Sequence, residues 1–434
     1  MAKLPNPLRV FYDHRKRDSL ATAKVMRLPP ELVEQISEYL DRRTICSLRS
    51  TSRYMAQCTF RRFKRLFYAV ATDLSRKSLT KLLELARDRD ITPMVHQMTI
   101  CKGKRHGYGE GYCWEQRAPH FDFAQQEGFT SFRALLQALV NCRSFRIYGR
   151  GFVLTRWRPA RSLSPLGVLG ILMRLMVMDD LRVRFLKLDV WVHDVLRPGD
   201  GGAVDKMSTL ISLYPALATA FSRLEGLYLQ HAQFASLDSL RTFMDVLRSS
   251  RLKRLDISFP RKPVEHQSFM HALASVRNSL HLSEFSISHG YLSHSSNAIK
   301  DFLHSQRRSL CKLMLFRLGL YGDDDGWISI LESLRDTKHS SLQEIYLGYL
   351  SETEAVLTPT GLEGITRFVF FPSVANIVVV GPSGAVVPSN IEALVKRPPG
   401  QSLTFRHCGP KMDVALQRLV DWTVLRRFRI VRTT

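Results

Sequence analysis

The sequence predicts an α/β chain in which a small module of three short helices precedes a long array of repeated strand-and-helix units. Three observations carry that expectation. A Pro-Pro pair at residues 29 and 30 opens an apolar-striped helix. From Leu224 onward an apolar-x-x-apolar-x-apolar strand returns in steps of 28, 30, 28, 32 and 32 residues. Between the copies, apolar residues fall three and four apart, the spacing of one helix face. With 434 residues the chain is also too long for one ordinary compact domain of about 150, so several domains or one extended array are expected.

The helical module is expected over residues 28–72, its motif running from Leu28 to Phe67. Proline is tolerated in a first helical turn, where its missing N–H would go unbonded anyway, and Glu31 and Glu34 place negative charge where the helix dipole favours it. Leu32, Ile36, Tyr39 and Leu40 then gather on one stripe. Asp41-Arg42-Arg43 interrupts them. A second helix is expected from Thr44, whose hydroxyl can cap it, with Ile45, Leu48 and Arg49 on one side. A third runs from about Ser52 through Tyr54, Met55, Phe60, Phe63, Leu66 and Phe67. Three such helices within about 40 residues cannot bury all these groups among themselves, so some must face a partner or the following region.

Leu28, Pro29, Glu31, Leu32, Ile36, Tyr39, Leu40, Asp41, Leu48, Arg49, Ser52, Arg53 and Tyr54 together resemble the F-box. Residue type, order and spacing agree at once. The chain departs at Ser52, where the family often has Cys, and at Tyr54, where Trp is common. The resemblance implies docking on the Skp-type adaptor of a cullin-RING ubiquitin ligase through Leu28, Pro29, Leu32, Ile36, Tyr39, Leu40 and Leu48. Residues 73–100, a helix carrying Leu79, Leu82 and Leu83 followed by an extended Val95-Met98-Ile100, look like the F-box proteins of fungi.

The repeated strands are Leu224-Leu227-Leu229, Leu252-Leu255-Ile257, Leu282-Phe285-Ile287, Leu310-Leu313-Leu315, Leu342-Ile345-Leu347 and Val374-Ile377-Val379. Looser copies precede them at Val95-Met98-Ile100, Cys142-Phe145-Ile147 and Phe185-Leu188-Val190. This alternation resembles the longer leucine-rich repeats, which implies a solenoid over 73–434 with a curved parallel sheet and a helix-covered outer side. The Asn or Cys expected beyond each strand is absent. Ala232, Pro260, Gly290, Leu318 and Leu350 stand there, so either the curvature is irregular or the turns are held by other bonds. Side chains alternate along a strand, which places Arg146, Asp189, Tyr228, Asp256, Ser286, Met314, Tyr346 and Val378 in one row on the concave side. Aromatics, charges and a Met suit a protein target better than a phosphate backbone, which would want a basic stripe.

The formal net charge of +24 and pI near 10.1 favour acidic partners. The basic residues are scattered, as on a solvated surface. The seven cysteines show no paired spacing, which fits a reduced intracellular setting in cytoplasm or nucleus. Residues 1–27 read as a basic segment lacking a secretory core, with His14-Arg15-Lys16-Arg17 too short for a firm nuclear signal. The most apolar stretch, Leu163 to Met178, falls short of the roughly 20 residues a membrane span needs and is read as a buried helix. Cys101, His106, Cys113 and His120 match no zinc spacing. The glycines at 107, 109 and 111 precede no phosphate-loop Lys and are read as part of a flexible insertion over about 101–128. No catalytic constellation and no cofactor is expected. Three functions follow: a ligase adaptor holding an unknown target, an interaction scaffold outside the ligase, or a basic nucleic-acid-binding solenoid.

Overall fold

The computed structural model describes residues 28–102, 108–114, 125–149, 163, 165–189, 216–230, 237–259, 267–293, 296–321, 326–337, 341–358, 361–372, 401–402, 404–409, 412–422 and 424–429. Contacts divide the chain into two compact units. The first holds residues 1–100, 109–114 and 122–143; the second holds 101–108, 115–121 and 144–434.

In the first unit, α1 (Pro30–Glu38), α2 (Arg42–Thr51), α3 (Arg53–Cys58) and α4 (Phe60–Arg65) form the helical module. Four helices stand where three were expected. The third breaks at Thr59, whose hydroxyl turns back to donate to the Met55 carbonyl at 2.6 Å. Asp41, not Thr44, caps α2. Its carboxylate accepts the Thr44 N–H at 2.8 Å, and that bond lowers its pKa. Val33, Ser37, Ile45 and Met55 are buried in the module. Arg49 lays its guanidinium over Phe63 at 4.0 Å and Phe60 at 5.4 Å, so the charge braces the aromatic tail.

Beyond the module, β1 (Ala69–Thr72) pairs in parallel with β2 (Gln97–Cys101), with α5 (Arg76–Leu85) between them and α6 (Glu127–Ala138) after. Lys64 pairs with Asp90 at 3.2 Å, and the Asn141 amide donates to the Pro93 carbonyl at 2.8 Å. The compact unit thus continues past residue 72, the boundary expected from the sequence.

The expected flexible insertion is corrected at its centre. Tyr112 and Trp114 are buried. The Gly109 N–H donates to the Asp73 carbonyl at 2.8 Å, the Arg76 N–H to the Glu110 carbonyl at 2.9 Å, and the Trp114 indole to the Gly109 carbonyl at 2.9 Å. Glycine-tyrosine alternation looked like a solvated tip, but its rings anchor the segment inward. Gly109 has φ +78°, and a Cβ there would stand 2.1 Å from Trp114 Nε1. Gly109→Ala is expected to cost about 2–4 kcal/mol through backbone strain and overpacking, read as a lower Tm.

The second unit is built on β3 (Ser144–Tyr148), β4 (Phe185–Asp189), β5 (Gly226–Gln230), β6 (Arg254–Ser258), β7 (Glu284–Ser293), β8 (Lys312–Tyr321) and β9 (Glu344–Gly348). Each pairs in parallel with the next in chain order. The helices α7 (Pro165–Met178), α8 (Ala216–Phe221), α9 (Leu237–Ser249), α10 (Gln267–Ser275), α11 (Ser296–Ser305) and α12 (Gly326–Asp336) follow one strand each. Leu227, Leu229, Leu255, Ile257, Phe285, Ile287, Leu313, Leu315, Ile345 and Leu347 are buried on adjacent strands. Helices cover that side, as Phe285 against Phe302 of α11 shows at 4.9 Å between ring centres. α7 is a buried helix, and no described helix is long and apolar enough to cross a membrane.

The strand entries are held by a recurring backbone fork. The Arg184 carbonyl accepts two N–H groups, from Glu225 and Gly226, at 2.8 and 3.0 Å. The same fork recurs from Lys253 and Arg254 to Glu225, from Ser283 and Glu284 to Lys253, from Cys311 and Lys312 to Ser283, and from Gln343 and Glu344 to Cys311. One buried side chain joins in. The Gln306 amide oxygen accepts the Leu282 N–H and its nitrogen donates to the Arg277 carbonyl, both at 3.0 Å.

Further along the strands, His289, Arg317 and Tyr349 adopt left-handed backbone at φ 55°, 53° and 52°. His289 and Arg317 lie between the same register pairs, Ser288↔Phe316 and Gly290↔Leu318. Each inserts one residue and shifts the alternation. Leu313 and Leu315 face inward before the kink, Leu318 and Leu320 after it; Ile345 and Leu347 precede Leu350 likewise. Leu318 and Leu350, standing where Asn was expected, are therefore core residues.

The all-parallel array expected through residue 434 is corrected at its end. β10 (Ser351–Thr358) pairs in parallel with the second half of β8, but β11 (Gly361–Pro372) returns antiparallel to β10. Only Pro359-Thr360 separates them, and a parallel crossover needs a dozen or more residues. β12 (Gln401–Ser402) and β14 (Val424–Arg429) add antiparallel to β11, and β13 (Thr404–Cys408) antiparallel to β9, with α13 (Met412–Trp422) between the last two strands in sequence. The expected strand at Val374-Ile377-Val379, with Val378, lies outside the described residues.

Candidate functional surfaces

On the helical module, α1 presents two unlike faces. Val33 and Ser37 point inward, while Leu32 is 44%, Ile36 46% and Tyr39 91% exposed. Pro29 is exposed, and Leu28, Leu40 and Leu48 are half-buried around them. The Tyr54 hydroxyl donates to the Leu28 carbonyl, so the tyrosine standing where Trp is common pins the entry of α1. An apolar stripe left in water on a helix whose other face is packed has the composition of a docking edge.

On the strands of the second unit, one row of register partners runs Arg146, Lys187, Tyr228, Asp256, Ser286, Met314 and Tyr346, ending at Arg406 of β13. Six of the described row residues stand where the sequence put them. Asp189 does not. Lys187 holds its place, because β4 buries Leu186 and Leu188 on either side of it; Val190 lies outside the described residues. The overlapping template Val183-Leu186-Leu188 is the one the fold uses. A slip of two residues keeps the face and moves the side chain one row along. There Asp189 is fully buried, 3.6 Å from Arg146, and with its amide nitrogen turned inward Gln230 donates to it at 2.8 Å.

Within the row, Lys187 Nζ lies 5.8 Å from the centre of the Tyr228 ring. Burial raises the Asp256 pKa, opposed by its hydrogen bond with Ser286 and by Lys187. At the strand entries the charges pair across strands: Arg254 with Glu284 at 3.1 Å, and Lys312 and Arg406 with Glu344 at 2.8 and 3.0 Å. Arg184 grips Glu225 through two bonds of 2.7 and 2.6 Å, which hold the Glu225 carboxyl below its ordinary range. A lowered folded-state pKa stabilises above the unfolded value and is lost as pH falls through the folded one. In Arg184→Gln the Glu225 titration, followed by NMR, is expected to move up, with a stability change below about 1 kcal/mol because the pair is solvated.

Sequence reading missed Lys187, Arg406 and the kink residues. Lys187 was legible in the competing template; Arg406 sits on an antiparallel strand that follows no repeat. Among the described residues no three His, Cys, Asp or Glu side chains gather as a metal site, and all seven cysteines are free thiols. His106 and His120 lie outside the described residues.

The chain thus joins a helical module with an exposed apolar stripe to an α/β region. Residues 25–69 match the F-box-like family, so the chain carries an F-box-like domain; F-box domains are typically adaptor modules of protein–protein interaction that bind Skp-type proteins. Comparison with curated proteins finds no match.

Proposed function

We propose that the chain is a non-enzymatic substrate adaptor of an SCF-type ubiquitin ligase. The exposed Leu32-Ile36-Tyr39 stripe within the F-box-like match carries this reading. Leu28, Pro29, Leu40 and Leu48 would complete a helix-in-groove contact with the Skp-type adaptor, and through it the cullin. The chain is read as an F-box protein of the fungal type whose α/β region is an irregular leucine-rich-repeat-like solenoid. Its parallel strands, one helix per strand and forked entry bonds support a repeat architecture, and the curvature of the sheet follows from that reading. The target would lie on the row from Arg146 to Tyr346 and be marked for degradation. The chain's contribution is proximity, raising the effective concentration of target beside the transferase subunits. Co-expression with a Skp-type adaptor tests the reading: a stoichiometric complex is expected, and its absence favours a scaffold outside the ligase.

A further inference from the structure

The second unit gathers aromatic rings at the kinked ends of β7, β8 and β9. Phe316 is the centre. His289 stands 5.8 Å from its ring, Tyr346 5.7 Å and Tyr349 5.5 Å. The Arg317 guanidinium lies over Phe316 at 5.2 Å and Tyr349 at 5.6 Å. Arg406 is the register partner of Tyr346 on β13. Each of these side chains keeps partial exposure.

Two features set this patch in place before any partner arrives. Gly348 is the register partner of Phe316, and a Cβ there would meet the ring at 2.9 Å, so the missing side chain lets Phe316 lie across β9. His289, Arg317 and Tyr349 hold left-handed backbone that costs an ordinary residue energy, and three adjacent strands keep it at one level. Strain of this kind gathers where side chains must be aimed.

The charged side chains of the patch itself are Arg317 and Arg406, with the Glu344 carboxylate beside Arg406. Residues 286–293, 313–321, 345–350 and 404–408 contain no Asp or Glu, while Arg317 and Arg406 lie among them. Glu344 stands one row away and pairs with Lys312 and Arg406. Burial and Tyr349 raise the Tyr346 phenol, while Arg406 and Arg317 pull it back, so both cations act on the same hydroxyl. We infer that His289, Phe316, Arg317, Tyr346, Tyr349 and Arg406 seat an acidic linear segment of the target protein, with its carboxylates on the arginines and its apolar side chains on the rings. Tyr, Arg and Phe are the residue types that dominate binding energy at interfaces, and cations beside rings suit carboxylates beside apolar groups. This deepens the target-binding part of the adaptor reading and rests on it.

The test is selection of a random 12-residue peptide library on the full chain co-expressed with the Skp-type adaptor. Peptides placing Asp or Glu beside aromatic or aliphatic residues are expected to be enriched. A resynthesised consensus peptide should bind about tenfold or more weakly to Phe316→Ala and to Arg317→Gly by fluorescence anisotropy, and equally well to Arg248→Gln on α9. Glycine accepts the left-handed backbone, so Arg317→Gly keeps its Tm and its loss of binding is not a loss of fold. Enrichment of basic peptides, no enrichment over the starting library, or equal binding by both patch variants overturns the inference. Adaptor co-purification is scored on the same preparation. If it fails while the acidic consensus appears, the ligase reading falls and the patch stands; a complex without the consensus gives the reverse.

Discussion

Leu32→Asp with Ile36→Asp is expected to abolish co-purification with a Skp-type adaptor while leaving the fold intact. Both side chains are nearly half exposed on α1, and the packed side of that helix is carried by Val33 and Ser37. Neither change therefore opens a cavity in the module. In the docked state both would enter an apolar groove, where hot-spot side chains contribute about 2 kcal/mol or more each and an unpaired carboxylate adds a desolvation cost. Two such losses correspond to a fall of a thousandfold or more in affinity, on the order of 4 kcal/mol. Circular dichroism and Tm should stay near wild type. A double variant that still co-purifies at wild-type yield removes α1 from the interface; one that unfolds makes the stripe an internal core element.

Gln306→Leu is expected to cost about 2–4 kcal/mol, because it strips partners from two backbone groups at once. The side chain is only 1% exposed, and it satisfies the Leu282 N–H and the Arg277 carbonyl where the chain enters β7. Leucine fills nearly the same volume, so the loss reports bonding rather than packing. Urea denaturation should show a lower midpoint with an unchanged slope. A midpoint within error of wild type means that the entry into β7 is held by the backbone fork alone.

How far the sequence disclosed this molecule depended on what kind of signal each element carries. The repeated leucines announce the parallel strands because burial on one side imposes strict alternation. The α1 stripe was legible from apolar residues at helical spacing, although the structure leaves them exposed. The other side of a strand obeys no such constraint, so Lys187 and Asp189 could be exchanged: two apolar templates overlap here, and only the register of Leu186 and Leu188 with Leu227 and Leu229 decides between them. The Trp114 segment was misread because its glycines serve buried rings, and glycine marks a solvated turn and a tight packing contact alike. The antiparallel end was hidden in spacing, since the two residues between β10 and β11 matter more to topology than the apolar pattern on either side.

The kinks in β7, β8 and after β9 impose a reading frame on the end of the array. Each inserts one residue at the same level, so the leucines on the two sides of the kink follow different parities yet face the same core. A deletion at Arg317 alone would bring Leu318 and Leu320 onto the parity of Leu315, but the neighbouring strands would keep their extra residue, so the pairing beyond Ser288↔Phe316 would slip by one. Loss or gain of a residue here is not the local event it would be in a loop; only a change made in all three strands together restores the phase. Substitutions can accumulate in this block one at a time, but its length can change only as a block.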